Sequence, residues 1–447
     1  MSRDVDFIIG ASVGGLAAAA YLAHGGARVL VLEKEAAPPE PRGPLFALDP
    51  AMIAGLKLAE HGLSFRSGDL GLTGWDDEEA PLTLPRDRRA AQRAIAALSQ
   101  ADAETWGPFQ AELHARARTL RRWWADARQE GRAADLLWQP AARDGFAREC
   151  VTGAADFLSR HFESPQLIGT LLHDTLAGGF APSEPGSALA LIWRASLEMA
   201  GQPGAMALAV PGTLTAALRR ASNAELQTDC TVAEILVTRG RAVGVRLQGG
   251  ETIGARAVLS SRTRGASAAL AGLERPQTFS EAGDARIVFT LGEGVTLPPA
   301  LAAGRCVAAL PPADCADAHE AARAGRLPRL VPFAVTAETP RSLVVDLPLM
   351  PVSPPEGWTA LKAPLAAGLI KTLSRQVPGL ARALTGVTVT PPRLRPRASL
   401  AQLLAPAFER AVTRVPGLYL CGEDAEPVPC VSGRAGRFAA HFALKSR

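Results

Sequence analysis

The chain has no Cys-x-x-Cys pair: its six cysteines, Cys150, Cys230, Cys306, Cys315, Cys421 and Cys430, are dispersed over 447 residues. That argues against a vicinal redox pair or a zinc ribbon, and it suits reduced thiols in a cytoplasm better than a disulfide framework. No segment reaches roughly 18 uninterrupted apolar residues, so no membrane-spanning helix is expected. Charge of one sign is also scarce, since a formal +4 over this length is too small to point to nucleic acid as a partner. The seven histidines, His24, His61, His114, His161, His173, His319 and His441, stand isolated and read as structural. No Ser-His-Asp arrangement or metal-ligand spacing emerges, so no metal is expected and the catalytic residues stay unassigned. Repeats of about 20 to 50 residues, the mark of solenoids and propellers, are missing too.

What is present is a large apolar content, 47% of residues, enough for two domains or one elaborated domain. The most informative stretch is the first. Asp6-Phe7-Ile8-Ile9-Gly10-Ala11-Ser12-Val13-Gly14-Gly15-Leu16 reads as strand, glycine turn and helix, and a second apolar strand, Val29 to Leu32, ends at Glu33 and Lys34. Glu33 falls 23 residues after Gly10. This is the spacing of a βαβ unit whose helix N-terminus faces a pyrophosphate and whose second strand offers a carboxylate to a ribose. Gly10 can make the tight turn and Gly15 can let the helix pack on the sheet. The middle position, where backbone and phosphate should approach most closely, is Ser12 rather than glycine. Two acids against one arginine before the apolar run, and three glycines within it, argue against an export signal.

Farther on, five prolines between residues 36 and 50 predict an extended connector. From 86 to 132 the pattern is helical, with Leu113, Ala117, Leu120, Trp124 and Ala127 on one face and arginines over much of the rest. Two readings stay open there: a core-packed helix with a solvated face, or a helix on an anionic membrane surface with Trp123 at the interface. Residues 154 to 200 read as helical in two pieces. Strands are expected near Glu225 to Thr228, Val232 to Thr238, Ala242 to Leu247 and Ile253 to Ser260, with a hairpin turn at Gly249-Gly250. More strands are expected at Arg286 to Thr290 and Ser342 to Leu347, and a helix over Leu361 to Val377. Near the end, Gly417-Leu418-Tyr419-Leu420-Cys421-Gly422-Glu423-Asp424 is an apolar strand closing on glycine and two acids, and Val431-Ser432-Gly433 leads into a final helix. That helix end can bring amides to a cofactor from the far end of the chain.

With both ends read, the chain resembles the phytoene desaturase superfamily of FAD-dependent oxidoreductases. It is nearest the bacterial branch that is also similar to animal pyridine nucleotide-disulphide oxidoreductase domain-containing protein 2. Besides the first turn, the resemblance is carried by Leu48-Asp49-Pro50 to Leu63, Asp156-Phe157-Leu158 to Ser164, Ala242 to Val245 with Ala255 to Val258, and Pro416 to Ala440. It implies an α/β protein similar to phytoene desaturase and amine oxidase flavoproteins. A discontinuous Rossmann-type FAD-binding domain would take residues 1–64, 205–265 and 395–447, and an α+β substrate domain residues 65–204 and 266–394. The implied cofactor contacts are Gly10, Ser12, Gly14 and Gly15 at the pyrophosphate, Glu33 with Lys34 at the adenosine ribose, and Val232 near the adenine. Gly422, Glu423 and Asp424 would serve the ribityl region, with Val431 and Ser432 beside them.

The implied chemistry is hydride removal from, or isomerisation of, an apolar and typically isoprenoid small molecule. Location would be cytoplasmic, with peripheral contact to the inner membrane if the substrate is a lipid, and an oligomer is compatible. Three departures from the family pattern matter. Ser12 is one; Ala36 to Pro44 lacks a double glycine, and Pro427-Val428-Pro429-Cys430 replaces a glycine run. Each added side chain beside a ligand costs about 1 to 3 kcal/mol through overpacking. The alternative left open is a diverged, flavin-poor relative acting as a binding or scaffold subunit. A hydroxylase using NAD(P)H finds little support, because no second nucleotide-binding glycine motif is visible. Cys430, just before the final helix, reads either as a thiol activated by the helix end or as a small apolar filler.

Overall fold

The computed structural model describes residues 3–41, 45–46, 48–65, 71–76, 79–125, 146–149, 151–176, 179–198, 206–207, 210–273, 280–393, 400–426 and 431–445. The expectations placed on Arg42 to Pro44, Cys150 and Pro427 to Cys430 lie outside these residues.

Two seven-stranded sheets organise the described chain. In the first, Arg3–Gly10 lies between Val29–Leu32 and Thr252–Ser260, all parallel, and Glu225–Gln227 continues the parallel array beyond Val29–Leu32. The early part of Thr252–Ser260 pairs antiparallel with Arg241–Leu247, and its last residues pair in parallel with Leu418–Leu420. Strand Val232–Thr238 closes that edge. The central strands are apolar without alternation because both faces are covered. Phe7, Ile9 and Val31 enter a core with helices Val13–His24, Thr213–Ser222 and Arg434–Lys445, while Ile8, Leu30 and Leu32 enter another on the opposite face. The strand, glycine turn and helix expected at the N-terminus are present, as are the strands expected between 225 and 260.

The second sheet runs Leu384–Thr390, Ala282–Leu291, Ser342–Pro351, Ala334–Thr339, Gly304–Ala308, Gly71–Trp75, Leu82–Leu84. Its neighbours are antiparallel except Gly304–Ala308 beside Gly71–Trp75. Strand Ala282–Leu291 alternates buried and less buried residues. Ile287, Phe289, Leu343, Val345 and Val335 pack against Leu365, Leu369 and Leu373 of helix Gly357–Gln376. Arg286, Asp346 and Arg305 occupy intervening positions on the other face.

The region from 86 to 132, expected as one helical pattern, forms helices Arg88–Ala96 and Gln100–Ala125 before the description stops. Leu113, Ala117, Leu120 and Trp124 are buried in a helical core, so that apolar stripe faces protein; the Trp123 side chain lies outside the described residues. The segment from 154 is cut once more than expected, into Ala154–Ser159, Pro165–Leu172 and Ala188–Glu198. Pro165 is the reason: it restrains Ser164 to φ −68, ψ 117, and the Ser164 hydroxyl caps the new helix by accepting from Leu167 N at 3.3 Å. Among the described residues no helix is long and apolar enough to cross a membrane.

Candidate functional site

In an open parallel sheet, ligands gather at the carboxyl ends of the strands. Four such ends meet here: Gly10, Leu32 and Ser260, which close neighbouring strands, and Cys421, just past strand Leu418–Leu420, line one cavity of about 1920 Å³. A drug-sized ligand typically fills about 300 to 1,000 Å³, so this space exceeds what one small molecule needs. Of the residues singled out from the sequence, Gly10, Ser12, Gly14, Glu33, Lys34, Val232, Gly422, Glu423, Asp424, Val431 and Ser432 all line it. Gly15 does not; it lies under the turn, where an added Cβ would stand 1.7 Å from the Gly10 carbonyl oxygen.

Ser12 answers one of the three departures. Its backbone is extended at φ −74, ψ 169, and its Oγ accepts from Gly15 N at 3.0 Å as the N-cap of helix Val13–His24. The hydroxyl therefore serves the helix. The amides of Val13 and Gly14, at the first two helical positions, have no acceptor within the helix, and both residues line the cavity. This is the donor set a pyrophosphate takes. Glu33 is buried, and its Oε1 accepts from Glu35 N at 3.0 Å. Its own backbone is tied to Gln227 O and Cys230 N at 2.9 and 2.8 Å, which fixes the carboxylate beside Val232 at the far end of the cavity. Lys34 instead pairs with Glu35 at 2.9 Å, both well exposed, a contact of small worth.

At the other end, Gly422 precedes a short 3-10 turn, Glu423–Ala425, and Asp424 Oδ2 accepts from Arg264 N at 3.4 Å. The final helix contributes less than its sequence promises. Ser432 Oγ donates to Glu426 and accepts from Arg434 N at 2.8 Å, while Glu426 Oε1 accepts from Ala435 N at 2.9 Å. Two amides of that helix start are thus taken by protein side chains, and Glu426 is a wall residue that sequence reasoning missed. Burial pushes the thiols of Cys306, Cys315 and Cys421 up to about 12, so none is a nucleophile at neutral pH.

The larger omission is a charged cluster on the side of the second sheet. Asp174 accepts from Arg194 Nε at 2.9 Å and from Arg305, and all three line the cavity with His173 and Trp193. Arg286 and Asp346, opposite one another on adjacent strands, pair at 2.6 Å. Burial raises the Asp174 pKa, but Arg305 and Arg194 outweigh it and hold the group at about 2. Burial, helped by Arg305, lowers His173 to about 3. A faint signal existed, because Asp174, Arg194 and Asp346 each interrupt an apolar run: Leu171-Leu172, Leu191-Ile192-Trp193 and Val344-Val345.

No protein-family model matches the chain. It is similar to the mouse (Mus musculus) pyridine nucleotide-disulfide oxidoreductase domain-containing protein 2, with 28% identity over 303 residues, covering 57% of this chain and 52% of the relative. The chain thus matches about half the length of that curated relative. Among solved structures, an oxidoreductase from Methanosarcina mazei superposes at TM-score 0.62 with 14% identity, covering 99% of this chain and all of that one. A putrescine oxidase bound to putrescine gives 0.64 and 13%, covering 100% and 99%. Cyclohexylamine oxidase from Brevibacterium oxydans gives 0.61 and 15%, covering 99% of each. These likenesses establish an α/β fold of the Rossmann-type FAD-binding kind.

Proposed function

We propose that the chain is an FAD-dependent oxidoreductase that removes a hydride equivalent from a small molecule with an apolar body. The observation that carries this reading is one continuous cavity, which runs from Glu33 and Val232 past the Val13 and Gly14 amides to Glu423 and then to the second sheet. Its volume leaves space for a substrate beside a dinucleotide. When bound, FAD would supply the two-electron acceptor. Glu33 would hold the ribose hydroxyls, the Val13 and Gly14 amides the pyrophosphate, and Glu423 and Asp424 the ribityl end. Apolar wall residues on the second sheet, Ala285, Ala334 and Pro348, would exclude water from the reacting carbon. His173 stays neutral and Asp174 ionised at pH 7, with pKa values far from the working range, so neither is poised as a general base. The proton lost on oxidation would pass to solvent.

The test is the visible spectrum of the purified protein, followed by release and identification of any flavin. Stoichiometric FAD is the expected result. Protein that stays colourless in excess FAD overturns the reading and turns attention to the binding or scaffold role.

A further inference from the structure

We propose that the molecule to be oxidised carries an uncharged carbonyl oxygen, and that His173 Nε2 donates a hydrogen bond to it from the wall of the cavity. The proposal rests on the flavin reading, since it assigns a recognition group to the substrate of that same site. The first support is where the imidazole is held. Asp174, the next residue, accepts from Arg194 of helix Ala188–Glu198 and from Arg305 of strand Gly304–Ala308. These bonds tie the short turn His173–Thr175 to a helix and to the second sheet, so the ring has a fixed place on the second-sheet side of the cavity. Ala285, Ala334 and Pro348 line that side and offer no polar side chain.

The second support is the hydrogen bonding of the ring itself. His173 lines the cavity at 6% exposure. Its Nδ1 is enclosed by protein and meets no partner, while Nε2 keeps contact with open space and has no protein partner among the described residues. Burial, helped by Arg305, keeps the imidazole neutral at pH 7, so it carries a single N–H. On Nδ1 that proton would be an enclosed donor without an acceptor; on Nε2 it meets the cavity, where a ligand can accept it. An ammonium has only donors to offer and leaves this N–H unmet. A carboxylate would have to shed its water for one neutral donor, because Arg194 and Arg305 are already engaged by Asp174 and by further contacts. A carbonyl oxygen accepts at less cost and, unlike an alcohol, brings no donor of its own to satisfy.

The experiment is calorimetric titration and infrared spectroscopy of the purified protein with the ketone benzylacetone, its flavin content first read from the visible spectrum. Phenylbutyrate and phenylbutylamine are titrated beside it at neutral pH. The ketone is expected to bind tighter than the acid or the amine, and its carbonyl band to move to lower wavenumber on binding. His173→Leu is expected to return the band to its position in an apolar solvent and to weaken the ketone roughly threefold to tenfold. His173→Gln, whose amide N–H can stand in for the imidazole N–H, is expected to keep a shifted band and most of the affinity. Should His173→Leu fail to fold, His173→Phe, a ring without a donor, takes its place. Failure of the ketone to bind, a band unmoved by binding or equally shifted without a donor at this position, or tighter binding of the acid or amine overturns the proposal. Colourless protein that still shifts the band through His173 overturns the flavin reading and leaves this hydrogen bond standing.

Discussion

Ser12 stands where a glycine would let a phosphate come closest, and its hydroxyl is already engaged by Gly15 N at 3.0 Å. Replacing an N-cap serine by glycine costs only a few tenths of a kcal/mol. Ser12→Gly is therefore expected to lower stability by about that much in urea melts and to leave FAD affinity equal or tighter. Weaker FAD binding in that variant would place the hydroxyl on the cofactor. His173 carries a second prediction at this scale. Its pKa lies near 3, below the ordinary 6.5, because burial and Arg305 disfavour the imidazolium. The unfolded chain therefore takes up the proton first as pH falls, so this contribution is full above about 6.5, declines steadily below it, and is lost by about 3. Between about pH 6.5 and 4.5 the loss is on the order of 2 to 3 kcal/mol. His173→Gln does not titrate and is expected to flatten that part of the pH–stability curve. An unchanged slope would show that His173 is protonated in the folded protein. Asp174 acts lower, its share declining from about 3.8 and lost by about 2.

At Gly14 and Gly436 helices Val13–His24 and Arg434–Lys445 meet backbone to backbone. A Cβ on Gly436 would stand 1.8 Å from the Gly14 carbonyl oxygen, and one on Gly14 would stand 1.9 Å from that of Cys421. Helix Val13–His24 is thereby locked to helix Arg434–Lys445 and to the end of strand Leu418–Leu420. Gly436→Ala must push the helices apart, at about 1 to 3 kcal/mol or more. The displacement would move the Val13 and Gly14 amides, so FAD content on purification should fall together with the urea midpoint. A fall in the midpoint with full FAD content would separate packing from cofactor binding. Legibility from sequence follows the same division between local and distant. The strand, turn, helix and second strand ending at Glu33 were readable because they occupy one short stretch with fixed spacing. Glycine contacts such as Gly14 to Gly436, and the Asp174 to Arg305 pair 131 positions apart, have no period to announce them. The extra helix start at Pro165 was readable in principle from Ser164 and the proline, but the apolar periodicity on either side masked it.

At the scale of the molecule, the cavity draws its wall from residues near both chain ends and from both sheets: Gly10, Glu33, Val232, Arg305 and Glu423 all face it. Apolar cores lie behind these walls, two on the faces of the first sheet, one on the far face of the second and one among the helices around Gln100–Ala125. A dinucleotide filling the space would contact segments far apart in sequence, and would bind the folded chain alone. Such a ligand stabilises by about 2.7 kcal/mol at a free concentration a hundred times its Kd. Flavin removal is thus expected to lower the melting temperature and to speed proteolysis, and re-addition of FAD to restore both in a concentration-dependent way. Riboflavin, which has no pyrophosphate or adenosine, is expected to restore little, because Glu33 and the Val13 and Gly14 amides would stay uncontacted. Equal rescue by riboflavin would mean that binding is confined to the Glu423 end and that the βαβ unit is a structural element in this chain. No shift with either compound would place the stability of the fold in its cores alone and count against a cofactor spanning the two sheets.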